Sequence, residues 1–147
     1  MIKYVTLFLF LFCCQFTSAQ NVTGKWKTYD ICDRNRAESI VFISIVNNSL
    51  YVIIDEIIPE DHKNDLCTKC TDSRKDKPIK GMLILEGAKL KNGVWQGAKI
   101  LNAKNGKEYG CEISLASPDL LKVRGFIGYR IFGKNLYWTR VKENEYQ

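Results

Sequence analysis

Two cysteines stand two residues apart in LCTKCTDSRKDKPIKG, residues 66–81. Cys67-x-x-Cys70 fits three chemistries. A structural zinc site needs two further ligands; His62, the single histidine, and Asp61 or Asp65 are the nearest donors. A redox pair needs a thiolate held beside cations or at a helix N-terminus. Lys69, Arg74 and Lys75 carry the charge, but no helical period follows Cys70 and no βαβ pattern surrounds it. The third chemistry is a disulfide staple on a loop, and it is the expected one.

The compartment bears on this choice. The chain begins MIKYVTLFLFLFCCQFTSA, with Lys3, an apolar run from Tyr4 to Phe16, and Thr17 and Ala19 placed for cleavage before Gln20. That pattern is a secretory signal peptide, and its apolar run is short for a membrane span. The expectation is a leader at residues 1–19 and one domain at 20–147, exported to the periplasm or secreted. Removing 19 of 147 residues leaves 128, enough for one core. Cys32, Cys67, Cys70 and Cys111 follow the leader, an even number that favours disulfides in an oxidising compartment. Three pairings are open. A Cys67–Cys70 bridge would contribute ~2 kcal/mol by chain entropy and Cys32–Cys111 ~4.5 kcal/mol.

Loss of Lys3 takes the net charge from +6 to +5. Such mild basicity suits solubility or a loose affinity for anionic envelope surfaces. Without a basic stripe interleaved with stacking aromatics, nucleic acid is not an expected partner. Asp55 and Glu56 are strand neighbours and point to opposite faces, so they cannot act as an acid and base pair. The sequence has no ordered Ser/His/Asp set and no Gly-rich phosphate loop. The expectation is therefore a non-enzymatic protein without a cofactor.

The elements that position these residues are strands. Runs rich in Val, Ile, Tyr, Phe and Trp recur between Gly, Asn, Asp and Pro. Strands are expected at 23–31, 38–46, 50–58, 82–87, 94–101, 107–115, 120–127 and 135–141. Asn47-Asn48-Ser49, Asn92-Gly93, Asn105-Gly106 and Ser117-Pro118-Asp119 supply turns between them. The fold class is all-β: a single antiparallel up-and-down barrel of about eight strands, which closes the sheet and removes its edges. In residues 107–115, Tyr109, Cys111, Ile113 and Leu115 share the inward face. Strands 38–46 and 50–58 are apolar on both faces, and the long connection from Pro59 to Lys80 or an N-terminal segment is expected to cover the outer one, the alternative being a dimer interface.

In a closed barrel the first and last strands are neighbours, so Trp26 and Arg140 can stack, a contact worth ~0.5–2 kcal/mol. Gly24-x-Trp26 with a C-terminal Arg resembles the signature of lipocalin and calycin barrels. GKWKT, CTKCTDSRKDKPIKGM, the spacing in VWQGAKILNAKNGKEY, LKVRGFIG and FGKNLYWTRV, taken in order, resemble the bacterial domain-of-unknown-function family 2147 from about Val22 to Val141. That resemblance implies an exported, single-domain, lipocalin-like barrel and brings no reaction or ligand with it. An interior lined by Trp26, Trp95, Tyr109, Ile113, Leu121, Val123 and Trp138 would hold a small lipophilic molecule. The alternative partner is an envelope protein docking on the 59–80 loop or on the barrel surface at the apolar strand pair. The protein is expected not to span the membrane and to be a monomer or homodimer.

Overall fold

The computed structural model describes residues 21–146, and the expected leader lies outside them. Eight strands run in order: β1 (Gly24–Tyr29), β2 (Ala37–Val46), β3 (Ser49–Ile57), β4 (Leu83–Lys91), β5 (Val94–Asn102), β6 (Lys107–Ser117), β7 (Leu120–Phe126) and β8 (Lys134–Arg140). Each pairs antiparallel with its successor, and β8 returns to β1 to close the barrel. Closure leaves no row of unpaired backbone groups along an edge.

Turn chemistry sets the connections at one end. Asn47 and Asn48 take φ of 49° and 58°, and Asn92 and Gly93 take 50° and 76°. Left-handed conformation at both central positions matches the twist of the flanking strands, and asparagine and glycine tolerate it best. These two turns, the β6–β7 turn and residues 21–23 make up the Trp26 end of the barrel. The four longer connections make up the other, the Cys67 end.

All eight expected strands are present, and three change in extent by two residues or more; β6 runs on to Ser117. β4 passes through Gly87 to Lys91, where the sequence suggested an end at residue 87. Gly87 has φ +82° beside a register shift against β3, so a bulge bends the strand without ending it. β1 stops at Tyr29 because the Asp30 carboxylate accepts the Cys32 and Asp33 amides at 2.7 and 3.0 Å and folds the chain into a tight loop.

The interior is filled with side chains. Trp26, Ile43, Leu50, Val52, Ile113 and Leu121 expose no surface. They belong to one continuous core cluster with Val123, Cys111, Trp95 and Trp138. Burial at this density supplies most of the fold's stability, at roughly 1.5–3 kcal/mol for each large apolar side chain.

The Pro59–Lys80 connection does not cover the outer face of β2 and β3. It turns over the Cys67 end, where Cys67, Cys70 and Met82 join the core. On the outer face Phe42 and Ile53 stay opposite each other, with Phe42 half-exposed. Ile79 packs partly against that core, while Leu66 beside Cys67 stays exposed.

Candidate functional site

The Trp26 end is closed by a side-chain clamp. Trp26 and Arg140 are register partners on β1 and β8, and the guanidinium carbon lies 4.2 Å from the ring centroid. Arg140 also donates from Nε to the Pro118 carbonyl at 2.9 Å, from Nη1 to Thr23 at 3.0 Å and from Nη2 to Asn21 at 2.7 Å. The Trp26 indole N–H donates to the Val22 carbonyl at 2.9 Å. One planar fork thus ties the N-terminal segment, the β6–β7 turn and the tryptophan face together, which a point-charge lysine could not reproduce.

Beside this clamp is a recess of about 310 Å³ lined by Asn21, Val22, Ile45, Leu90, Gly93, Trp95 and Leu115. The β4–β5 turn holds Leu90 and Gly93 over it, and Trp95 forms its inner wall. Of the interior candidates, Trp95 borders this recess. Trp26, Ile113, Leu121, Val123 and Trp138 are packed into the core, and the Tyr109 hydroxyl accepts from Asn105 Nδ2 at 2.9 Å near the Cys67 end.

The Cys67 end is closed by backbone. Cys67 and Cys70 form a disulfide, and both are buried. The Cys67 amide donates to Lys77 at 2.8 Å and the Ile79 amide to Asp65 at 3.0 Å, making a small folded cap. This cap sits on the β5–β6 turn so closely that a Cβ on Gly106 would lie 1.9 Å from the Lys69 carbonyl oxygen. Glycine is required there by space and by its φ of +70°. Arg74 anchors the cap, donating from Nη2 to Glu108 Oε1 at 2.7 Å while gripping Asp72. Its guanidinium, with the Arg74 amide, holds the Asp72 carboxyl at about 2. A second, open recess of about 640 Å³ runs between the cap and the barrel rim, lined by Lys69, Thr71, Asp72, Asn105, Gly106, Lys107, Glu108 and Ile127.

The second expected bridge does not form: Cys32 and Cys111 are free thiols. Asp30 holds Cys32 in an exposed loop, while Cys111 lies inside β6 between Ala98 and Gly125. β1 and β6 are not neighbours in the barrel. Burial, with the Glu112 charge beside it, pushes the Cys111 thiol up to about 12. His62 pairs with Asp65 at 2.8 Å on an exposed turn, and among the described residues no three His, Cys, Asp or Glu side chains converge to hold a metal. The one helical turn of the connection, Glu60–His62, precedes the cysteines, so no helix N-terminus faces Cys70.

The family model described as "Uncharacterized protein conserved in bacteria (DUF2147)" matches residues 24–140, from the start of β1 to the clamp arginine. The chain belongs to this family. Among solved structures, the DUF2147 barrel is similar to the Helicobacter pylori protein HP1028, a protein described as belonging to the lipocalin family. The two share 19% identity over 85% of this chain and 86% of the other, with a TM-score of 0.73. At that identity the likeness establishes a lipocalin-like fold. No curated protein matches the chain.

Sequence reasoning did not single out the Trp95 recess. Its walls come from four separate segments; Trp95 was named as a cavity residue, and the further legible signal was Leu90, an apolar residue two positions before the Asn92-Gly93 turn.

Proposed function

We propose that this DUF2147 barrel is an exported, non-enzymatic carrier or sensor that binds a small apolar or amphipathic molecule at the Trp95 recess. The supporting observation is the recess itself, a concavity walled by Val22, Ile45, Leu90, Trp95 and Leu115 with Asn21 as its polar edge. Its volume is at the lower limit of small-molecule sites, which run from ~300 to ~1,000 Å³. The packed interior beneath it restricts the ligand to a short chain or to one end of a longer one. The leader-like N-terminus and the Cys67–Cys70 disulfide support export, to the periplasm or beyond.

Titration with dodecanoic acid and with lysophosphatidylcholine, followed by tryptophan fluorescence, tests the reading. A saturable change that Leu90→Glu abolishes without lowering the melting temperature is expected, because Leu90 is exposed and contributes little to the core. A flat titration with both probes would overturn it.

A further inference from the structure

The β7–β8 connection inverts the usual distribution of side chains. Ile127, Tyr129, Ile131 and Phe132 are 66%, 77%, 78% and 77% exposed, four large apolar side chains within six residues. Isolated exposed apolar residues are common, but a contiguous cluster marks an interaction surface.

This tip is also held in shape. Arg124 donates from Nη2 and Nε to the Arg130 carbonyl at 2.8 and 3.2 Å and from Nη1 to Asn135 Oδ1 at 2.9 Å. Residues Arg130–Phe132 form a 3-10 turn closed by the Gly133 amide on the Arg130 carbonyl at 3.1 Å. A Cβ at Gly133 would come within 2.9 Å of Arg124 Nε, so the arginine fits against the turn only because glycine is there. The backbone is fastened to the barrel, and the apolar side chains are turned outward.

Charge identifies the occupant. From Leu120 to Lys142 the chain carries Lys122, Arg124, Arg130, Lys134, Arg140 and Lys142 and no carboxylate. Three of them, Arg124, Arg130 and Lys134, stand beside the tip; Lys122, Arg140 and Lys142 lie toward the Trp26 end, where Asp119 pairs with Arg140 at 3.6 Å and Lys142 at 3.7 Å. At the tip, Arg130 Nε pairs with Glu112 at 2.5 Å. Arg124, the cross-strand neighbour of Glu112, donates to Asn135 Oδ1 and to backbone carbonyls, and Lys134 donates to the Ile31 carbonyl at 3.1 Å, so the three cations beside the tip stand against the one carboxylate of Glu112.

We propose that the β7–β8 tip docks on an anionic lipid bilayer: Ile127, Tyr129, Ile131 and Phe132 enter the interfacial layer, and the cations beside the tip, Arg124, Arg130 and Lys134, attract its headgroups. Apolar insertion or electrostatic attraction alone gives weak, reversible membrane binding, and stable attachment uses the two together. Tyrosine suits the headgroup level, where its ring is apolar and its hydroxyl wet. A ridge of exposed side chains suits a bilayer, which needs no matching groove.

The test is co-sedimentation of the protein with vesicles of phosphatidylglycerol and phosphatidylcholine in equal parts, and with vesicles of phosphatidylcholine alone. Binding to the mixed vesicles that weakens as salt is raised, and falls at least about tenfold in the double variant Ile131→Ser, Phe132→Ser, is expected. The variant should melt as the parent does, because both side chains are solvent-exposed. A Phe132→Trp variant should shift its emission to the blue on the mixed vesicles. No binding to mixed vesicles, or equal binding by parent and double variant, overturns the proposal. Self-association lost in the double variant, with no vesicle binding, would assign the tip to a second copy of the chain instead.

Discussion

The two ends of this barrel are closed by different means. At the Trp26 end one arginine fork and one indole reach five groups across three segments, and the closure depends on side-chain identity. At the Cys67 end a folded loop rests backbone to backbone on the β5–β6 turn, and closure depends on the absence of a side chain at Gly106. The first closure is written in two residues far apart in the chain. The second is spread over a connection whose composition looks like solvated loop.

The contrast can be broken at either end. The largest effect is expected at the clamp: Trp26→Ala should cost about 4 kcal/mol in urea unfolding, since it empties a fully buried aromatic site. Arg140→Lys keeps the charge but cannot reach three carbonyls at once, and should cost about 2 kcal/mol. A cost as small as that of an exposed substitution would show that the N-terminal segment is held by other contacts.

At the Cys67 end, Gly106→Ala should cost about 3 kcal/mol, combining overpacking with a positive φ. Replacing Cys67 and Cys70 together by Ala removes a bridge closing a very short loop and should cost about 2 kcal/mol or less. The order of these two costs, read from melting midpoints, tests whether seating on the turn or the disulfide dominates the cap. The reverse order would make the disulfide the main fastening.

The smallest effect is expected in acid. The Asp30 carboxyl is held at about 2, below its ordinary 3.8, first by the Cys32 amide and then by that of Asp33, with the Arg36 charge adding to them. Its folded-state affinity for protons is depressed, so its contribution is present above about pH 4 and is lost as pH falls through 2. Asp30→Asn keeps an oxygen acceptor for both amides and should flatten part of the loss of stability between those limits. An unchanged acid profile would place the acid sensitivity elsewhere, with Asp72 the next group to replace.

Much of the fold was legible because strand alternation and turn chemistry are local signals. Asn47-Asn48, Asn92-Gly93 and Asn105-Gly106 mark three hairpins, and the inward parity of Cys111 and Ile113 follows from the period of two. Trp26 and Arg140 could be paired only by adding the assumption of closure. What escaped was set by three-dimensional placement. Gly87 reads as a strand end and is a bulge. Cys32 and Cys111 satisfy every counting rule for a bridge, yet Asp30 holds one outside the barrel and β6 holds the other inside. The apolar tip between Ile127 and Gly133 fell in the connection between two expected strands, and periodicity cannot show that Arg124 fastens its backbone so that those side chains face outward.

The barrel interior is filled with side chains, and the proposed ligand site is the recess at the Trp26 end. Methyl NMR of the protein titrated with dodecanoic acid tests this most directly. Saturable shifts are expected at Val22, Ile45, Leu90 and Leu115, with Leu121, Val123 and Ile113 unmoved. Shifts led by those three interior residues, or no shift anywhere, would contradict it.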